Sequence, residues 1–553
     1  MSISKLQIKS GLVLGSCFFI LYVFTLSQHF TGDSLMFASE INTGQLSIMM
    51  PRHRVLADTL GYSFVSLWNL LAGSNALLQP LQVFNALCGA IAVVFVFYIL
   101  TMLTASRKVA LLTAVGFGAS NGIWLFSIEA EMVTPALAEM IAVLMLAAGF
   151  AATRLVRRRH IVVAGLLTGF AILTYAQNLL LVFIVILAIM LSSNRFARKL
   201  SDGLLFVITV TVATAAAYFV YFFYVVGHIP LSGASFYQGQ GSGLLYGTLS
   251  VKNIPYGVYA FLKTVMNYPL LPCDEFTRTF LSSASWPSRL GFMAFELIVL
   301  ALVVAPLWEI VRSWRDYSRS YRANILLFTV WSALFAAFAF YWVPKDMQFW
   351  LPVTAGWWLL AGIGLAHKIT HQPQRPWYGA AILIVGLVIA VNFAGSVLPR
   401  QSLESNREYM IAVSIKDHTQ PQDLVVTISD NRNIQFFSER KTISLLETIL
   451  CGQASRTDNA KAWMIQQLAN EMAVVQKNEG RVFLYIEKFD AEALATYAKV
   501  GLIPSDLQYL ETIPAWSAYD AEFVEILGLR QYLSDASNQY IQPISLSTST
   551  AEF

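Results

Sequence analysis

Residues 161–191 read IVVAGLLTGFAILTYAQNLLLVFIVILAIML. A helix needs about 20 mostly apolar residues to cross the hydrocarbon core, so this 31-residue run is too long for one span and short for two. Tyr175, Gln177 and Asn178 interrupt it. Breaking the run there gives two short spans, 161–175 and 177–192, and Lys and Arg decide for the break. With it, every basic cluster between spans falls on one side of the membrane; without it, the clusters that follow change sides.

The same criterion picks out nine more segments: 11–29, 80–104, 109–127, 135–153, 203–226, 290–311, 323–342, 349–366 and 377–398. If the N-terminus with Lys5 and Lys9 is cytoplasmic, the inner loops hold Arg107 and Lys108, Arg154 with Arg157 to Arg159, Arg195 with Arg198 and Lys199, then Arg312, Arg315, Arg319 and Arg322, and finally Lys368 and Arg375. The outer loops are longer yet carry only Arg52, Arg54, Lys252, Lys263, Arg278, Arg289 and Lys345, so basic residues obey the positive-inside rule along the chain. An odd number of spans then puts the C-terminal segment outside. The first span is expected to stay as an anchor, because no small-x-small cleavage site precedes Phe30.

Composition agrees. Of 553 residues, 56% are hydrophobic and 13% are charged, about half the charge of a soluble globular chain. Residues 1–399 hold 24 Lys and Arg against 13 Asp and Glu, whereas 400–553 hold 13 against 20. The expected fold class is an α-helical polytopic membrane protein with about eleven transmembrane helices over 1–399, followed by an extracytoplasmic mixed α/β domain over 400–553. In the latter, DLVVTI (423–428) and RVFLYI (481–486) read as buried strands, and 457–477 and 490–500 have helical spacing. No run of like charge points to nucleic acid. The four cysteines form no CxxC or Cys/His cluster; Cys17 and Cys88 read as packing, and Cys273 and Cys451 are the two that could meet outside a membrane.

Acidic residues of the membrane part gather at the outer ends of spans. The first outer loop, TGDSLMFASEINTGQLSIMMPRHRVLADTLGYSF (31–64), puts Asp33 directly after a span and follows it with Glu40 and the cluster Arg52, His53, Arg54. The stretch from Pro51 to Leu71 reads as a helix lying in the interface or a re-entrant element rather than a span. The second loop, WLFSIEAEMVTP (124–135), carries Glu129 and Glu131 with no basic neighbour, so these acids must find partners elsewhere in the fold or bind a cation or a substrate hydroxyl. The loop YWVPKDMQFWLP (341–352) sets Lys345 at headgroup depth, where the phosphate of a lipid-linked substrate would also lie. From these residues, Asp33 would act as base, Glu131 would orient a substrate or a metal, and the cations would hold an anion.

The Asp after the first span, the Pro-Arg-His element followed by LADTLGYSFVSL, the SIEAEMVTP loop and the LTYAQNLL break resemble the GT-C superfamily of integral membrane glycosyltransferases. Within it the chain looks most like the branch holding the protein O-mannosyltransferases and the aminoarabinose and related bacterial transferases. The resemblance implies catalysis on the extracytoplasmic face, with a sugar carried on polyprenyl phosphate and moved, with inversion, to an acceptor hydroxyl on a glycan, lipid or protein. It also implies Asp33 as the acidic residue of the first loop, Glu131 as that of the second, and Arg52, His53 or Arg54 with Lys345 as phosphate-binding positions; Glu129 and Glu40 are further candidates to orient a substrate or a metal. The chain departs from the mannosyltransferases in having Gly-Asp-Ser where they carry adjacent Asp-Glu. The implied location is the bacterial plasma (inner) membrane, among its lipids, and a divalent cation is the cofactor the acids could take. The alternative is a multi-pass transporter or flippase of a lipid-linked or anionic solute, which would place its polar residues at mid-membrane.

Overall fold

A computed structural model describes residues 4–45, 54–152, 156–192, 194–226, 250–251, 253–268, 285–372, 376–428, 432–446, 448–449, 460–487, 510–518, 521–531 and 542–543. Among these, the chain divides into two compact units, one ending at Ser402 and the other beginning at Leu403. Arg400, counted with the acidic segment by charge, therefore belongs to the membrane unit.

The membrane unit is helical: α1 (Lys5–Phe24), α2 (Gly32–Thr43), α3 (Ala57–Ala72), α4 (Leu78–Thr104), α5 (Arg107–Gly118), α6 (Asn121–Ile128), α7 (Val133–Ala152), α8 (Arg158–Thr174), α9 (Leu181–Leu191), α10 (Phe196–Tyr221), α11 (Asn253–Val265), α12 (Trp286–Arg312), α13 (Arg319–Trp342), α14 (Leu351–His371) and α15 (Trp377–Asn392). Each of the eleven expected spans is helical. Eight helices are long and apolar enough to cross a membrane, α5 and α6 reach that length only together and are bent by 62° at their break, and the shorter α8 and α9 flank Tyr175. The bend replaces the straight third span expected over 109–127. It falls in GFGASNG, where the Ser120 hydroxyl turns back onto the Gly116 carbonyl at 3.0 Å and itself accepts the Trp358 indole N–H at 2.7 Å. A backbone hydrogen bond lost at the bend is thus replaced by side-chain bonds.

One apolar core runs through the unit, with α4, α7 and α14 most enclosed and α10 and α12 mostly bare. The bare faces carry Leu204, Val212, Leu297, Trp308 and Val311, surface that lipid covers and water would not. Side-chain caps close the starts of several of these helices. Ser4 and Gln7 form a reciprocal capping box on α1, and Ser106 and Ser318 cap α5 and α13. The element α3 is an amphipathic helix of 16 residues, not among the spans, with Ala57, Asp58, Gly61 and Val65 turned inward.

The second unit holds α16 (Arg407–His418), α17 (Arg432–Ser438) and α18 (Ala460–Lys477) around β1 (Leu424–Thr427), β2 (Lys441–Ser444), β3 (Val482–Glu487), β4 (Leu510–Ala518), β5 (Ala521–Gln531) and β6 (Gln542–Pro543). The strand order is β2-β1-β3-β5-β4, with β1 parallel to β2 and β3, and β5 antiparallel to β3 and β4. Leu424, Val426 and Leu484 pack on Met464, Leu468 and Met472 on one face, while Val425 and Tyr485 pack on Ile411, Ile415 and Ile434 on the other. Cover on both faces explains why DLVVTI is a continuous apolar run rather than an alternating one. Strands β2, β4 and β5 are additions to the expected pattern. The helix expected over 490–500, and Cys273 and Cys451, lie outside the described residues.

Candidate functional site

The span ends that carry Asp33, Glu129 and Glu131 are joined by buried amide side chains. Gln82 and Asn85 stand one turn apart on α4. Gln82 Nε2 donates to the carbonyls of Ser27 at 2.7 Å and Ile128 at 3.0 Å, and Asn85 Nδ2 donates to those of Glu129, at 2.6 Å, and Glu131. The Ser27 N–H adds a bond to the Ile128 carbonyl at 3.1 Å. A turn buried at this depth must satisfy its carbonyls within the protein, and these two side chains do so, which fixes the backbone that carries both glutamates.

The loop after α1 is then tied to the turn between α6 and α7 through Thr31. Its hydroxyl caps α2 by accepting the Ser34 N–H at 3.1 Å, so its proton is directed outward, onto Glu131 Oε1. Two residues on, Asp33 lies in the first turn of α2 with its side chain exposed. A carboxylate there is favoured by the helix N-terminus. Glu131, by contrast, is buried. Burial pushes its carboxyl well above the usual range, helped by the charges of Glu129 and Asp33 and, less, of Asp346, and opposed by the Thr31 hydroxyl.

Asp346 is the third acid of the group. It caps the turn before α14, accepting the Gln348 N–H at 3.0 Å and the Gln348 amide at 2.7 Å. Burial raises its carboxyl to about 6 against those two hydrogen bonds; the Asp33 charge adds to the rise and the neighbouring Lys345 opposes it. Lys345 itself is exposed. The mutual action of Asp33, Glu131 and Asp346 places the three carboxylates in one neighbourhood. Tyr175, half-buried in the break between α8 and α9, feels the charges of Asp346, Asp33, Arg54 and Glu131.

The remaining candidates have other partners. Glu129, nearly inaccessible, is ion-paired with Arg400 at the end of the last span. Arg400 is in turn held by the Gln28 N–H, which donates to its carbonyl at 2.7 Å, and Gln401 reaches the Thr25 carbonyl at 3.0 Å. Arg54 lies 2.5 Å from Glu40 and 3.8 Å from the fully buried Asp58. Burial, reinforced by Glu40 and opposed by Arg54, lifts the Asp58 carboxyl to about 8. The Leu56 N–H bonds the Leu173 carbonyl at 3.0 Å, which pins this group to the end of α8. Arg52 and His53 lie outside the described residues. Among the described residues no three His, Cys, Asp or Glu side chains come together closely enough to hold a metal ion.

Sequence reasoning thus reached Asp33 and Glu131, which the fold brings together, and passed over Asp346, Tyr175 and Arg400. Asp346 had a visible signal, its place beside Lys345 in a short outer loop. Arg400 had one as well, since Glu129 needed a cation that no local residue could supply.

No family model matches the sequence, and no curated protein is similar to it in sequence. Solved structures are similar in fold. The crystal structure of ArnT from Cupriavidus metallidurans bound to undecaprenyl phosphate aligns with 95% of this chain and 98% of its own, at 11% identity and a TM-score of 0.54. The chain shares the fold of this ArnT structure. The apo state of the same ArnT aligns with 94% of this chain and 98% of its own at 12% identity and a TM-score of 0.41. The arabinofuranosyltransferase AftD from Mycobacteria covers 95% of this chain and 40% of its own length at 12% identity and a TM-score of 0.45. The expected polytopic helical architecture with a small C-terminal sheet is borne out by the fold itself and by its likeness to the undecaprenyl-phosphate-bound ArnT structure.

Proposed function

We propose that this GT-C-like protein is a glycosyltransferase of the extracytoplasmic face, taking a sugar from a polyprenyl-phosphate donor and passing it to an acceptor hydroxyl on a glycan, lipid or protein. The observation that carries this reading is the Thr31–Glu131 contact. It joins two outer loops so that the exposed Asp33 carboxylate stands beside a buried acid, in a fold shared with a protein crystallised with undecaprenyl phosphate.

The chemistry follows from these groups. The acceptor oxygen attacks the anomeric carbon opposite the phosphate, Asp33 takes the hydroxyl proton, and the bond from carbon to phosphate oxygen breaks, releasing polyprenyl phosphate and inverting the centre. Glu131, whose carboxyl burial pushes upward, holds Thr31, and through it the start of α2, in place. Charge on the departing phosphate falls to Lys345, exposed at the outer headgroup level, with Arg52 and His53 as further candidates. Arg54 is engaged by Glu40 and Asp58, so its part is to order the first loop. The N-terminus would be cytoplasmic, the second unit extracytoplasmic, and the membrane that of a bacterial cell.

Replacing Asp33 with Asn tests the assignment. Loss of a general base costs about a hundredfold or more in rate, and the exposed position leaves folding intact. Turnover retained within tenfold of wild type would remove Asp33 from the mechanism.

A further inference from the structure

We propose that Tyr175 is a substrate-binding residue of this site, its phenolic O–H hydrogen-bonding a hydroxyl of the transferred sugar or of the acceptor. The inference rests on the transferase reading and goes beyond the acids and cations named for it.

The backbone around Tyr175 is fixed from several directions. Tyr175 itself is extended, at φ −153° and ψ 118°, between two helices. Asn178 builds the break: its side-chain amide donates to the Ala171 carbonyl at 2.9 Å and its N–H to the Tyr175 carbonyl at 2.9 Å. The preceding Thr174 gives its hydroxyl to Glu139 of α7 at 3.0 Å, and Leu173 takes the Leu56 N–H of the first outer loop at 3.0 Å. Three consecutive residues are therefore tied to α7, to the turn that leads into α9 and to the loop that bears Arg54.

The phenol so held lies within reach of the charges of Asp33, Glu131, Asp346 and Arg54. It is half-buried, and among the described residues its hydroxyl has no hydrogen-bond partner. A rigid aromatic with one face of apolar surface and a donor at its tip, set among acids that would handle an acceptor proton, has the chemistry that recognises a carbohydrate hydroxyl.

The test compares wild type with Tyr175→Phe in detergent or vesicles, varying a polyprenyl-phosphate sugar and an acceptor separately. Removing a single neutral hydrogen bond lowers kcat/KM about threefold to tenfold, and the substrate whose KM rises tells whether the sugar or the acceptor is held. The melting temperature should stay put, since no protein group among those described loses a partner. A purely structural Tyr175 predicts the opposite, with kcat/KM for both substrates unchanged within twofold, and that result overturns the proposal. A wild type that turns over no donor removes the transferase reading and the role of Tyr175 with it. An active wild type with an indifferent Tyr175→Phe removes the role of Tyr175 alone.

Discussion

Replacing Arg400 with Leu removes the cation that faces Glu129. The Glu129 side chain is 1% exposed and that of Arg400 13%, so water cannot take over the pairing. Breaking one side of a buried pair costs about 3–5 kcal/mol because the remaining charge is uncompensated. At about 1.4 kcal/mol per factor of ten, that is a loss of at least a hundredfold in the ratio of folded to unfolded protein. The double variant Glu129→Gln with Arg400→Leu removes both charges and should recover most of the loss, since the backbone carbonyl of Glu129 still accepts from Asn85. Denaturant titration in mild detergent, followed by tryptophan fluorescence, reads both. Activity should fall alongside stability in the single variant, because Glu129 and Glu131 share one short turn. An Arg400→Leu protein as stable as wild type, or a double variant less stable than the single, would refute the reasoning.

Three further outcomes are expected. Asp58 has a carboxyl raised to about 8 against an unfolded value of about 3.9, so between those values the unfolded chain binds fewer protons and stability falls as pH rises, levelling off above 8; Asp58→Asn should flatten that slope in melts at pH 6 and 8, and an unchanged slope would exclude Asp58 as its source. Gly116→Ala drives a methyl into the Trp358 ring, which its bond to Ser120 holds in place, and should cost about 1–3 kcal/mol, whereas Gly149→Ala, with open space around it, should cost nothing measurable. Glu296 lies within the span α12, so Glu296→Gln should leave transfer unchanged; a protein whose activity depends on it would behave as a carrier does, with its sensitivity at mid-membrane.

Much of this was legible because scarce charge leaves few readings. Hydropathy and Lys/Arg placement locate a helix at each of the eleven expected positions, eight of them long and apolar enough to cross a membrane, and the polar triplet around Tyr175 marks the break that separates α8 from α9. The 62° bend between α5 and α6 was hidden, since GFGASNG continues an apolar run and the bend is stabilised by Trp358 from a distant helix. Strands β4 and β5 escaped for a similar reason: LETIPAWSA and AEFVEILGLRQ mix polar and apolar residues without a clean period, and their pairing with one another and with β3 is what makes them strands. At the site, Asp33 and Glu131 stand out because acids are scarce in the membrane part, 13 in residues 1–399, and these two sit in loops with no adjacent cation. Asp346, Tyr175 and Arg400 depend on which loops meet, and that is decided by amides such as Gln82 and Asn85 bonding carbonyls some 45 positions away.

The central claim is that the outer acids transfer a sugar from a lipid phosphate. Purified protein in vesicles, given a set of polyprenyl-phosphate sugars with a hydroxyl acceptor, should release free polyprenyl phosphate from at least one donor, in step with formation of a product of inverted anomeric configuration. Release of none from any donor would contradict the account.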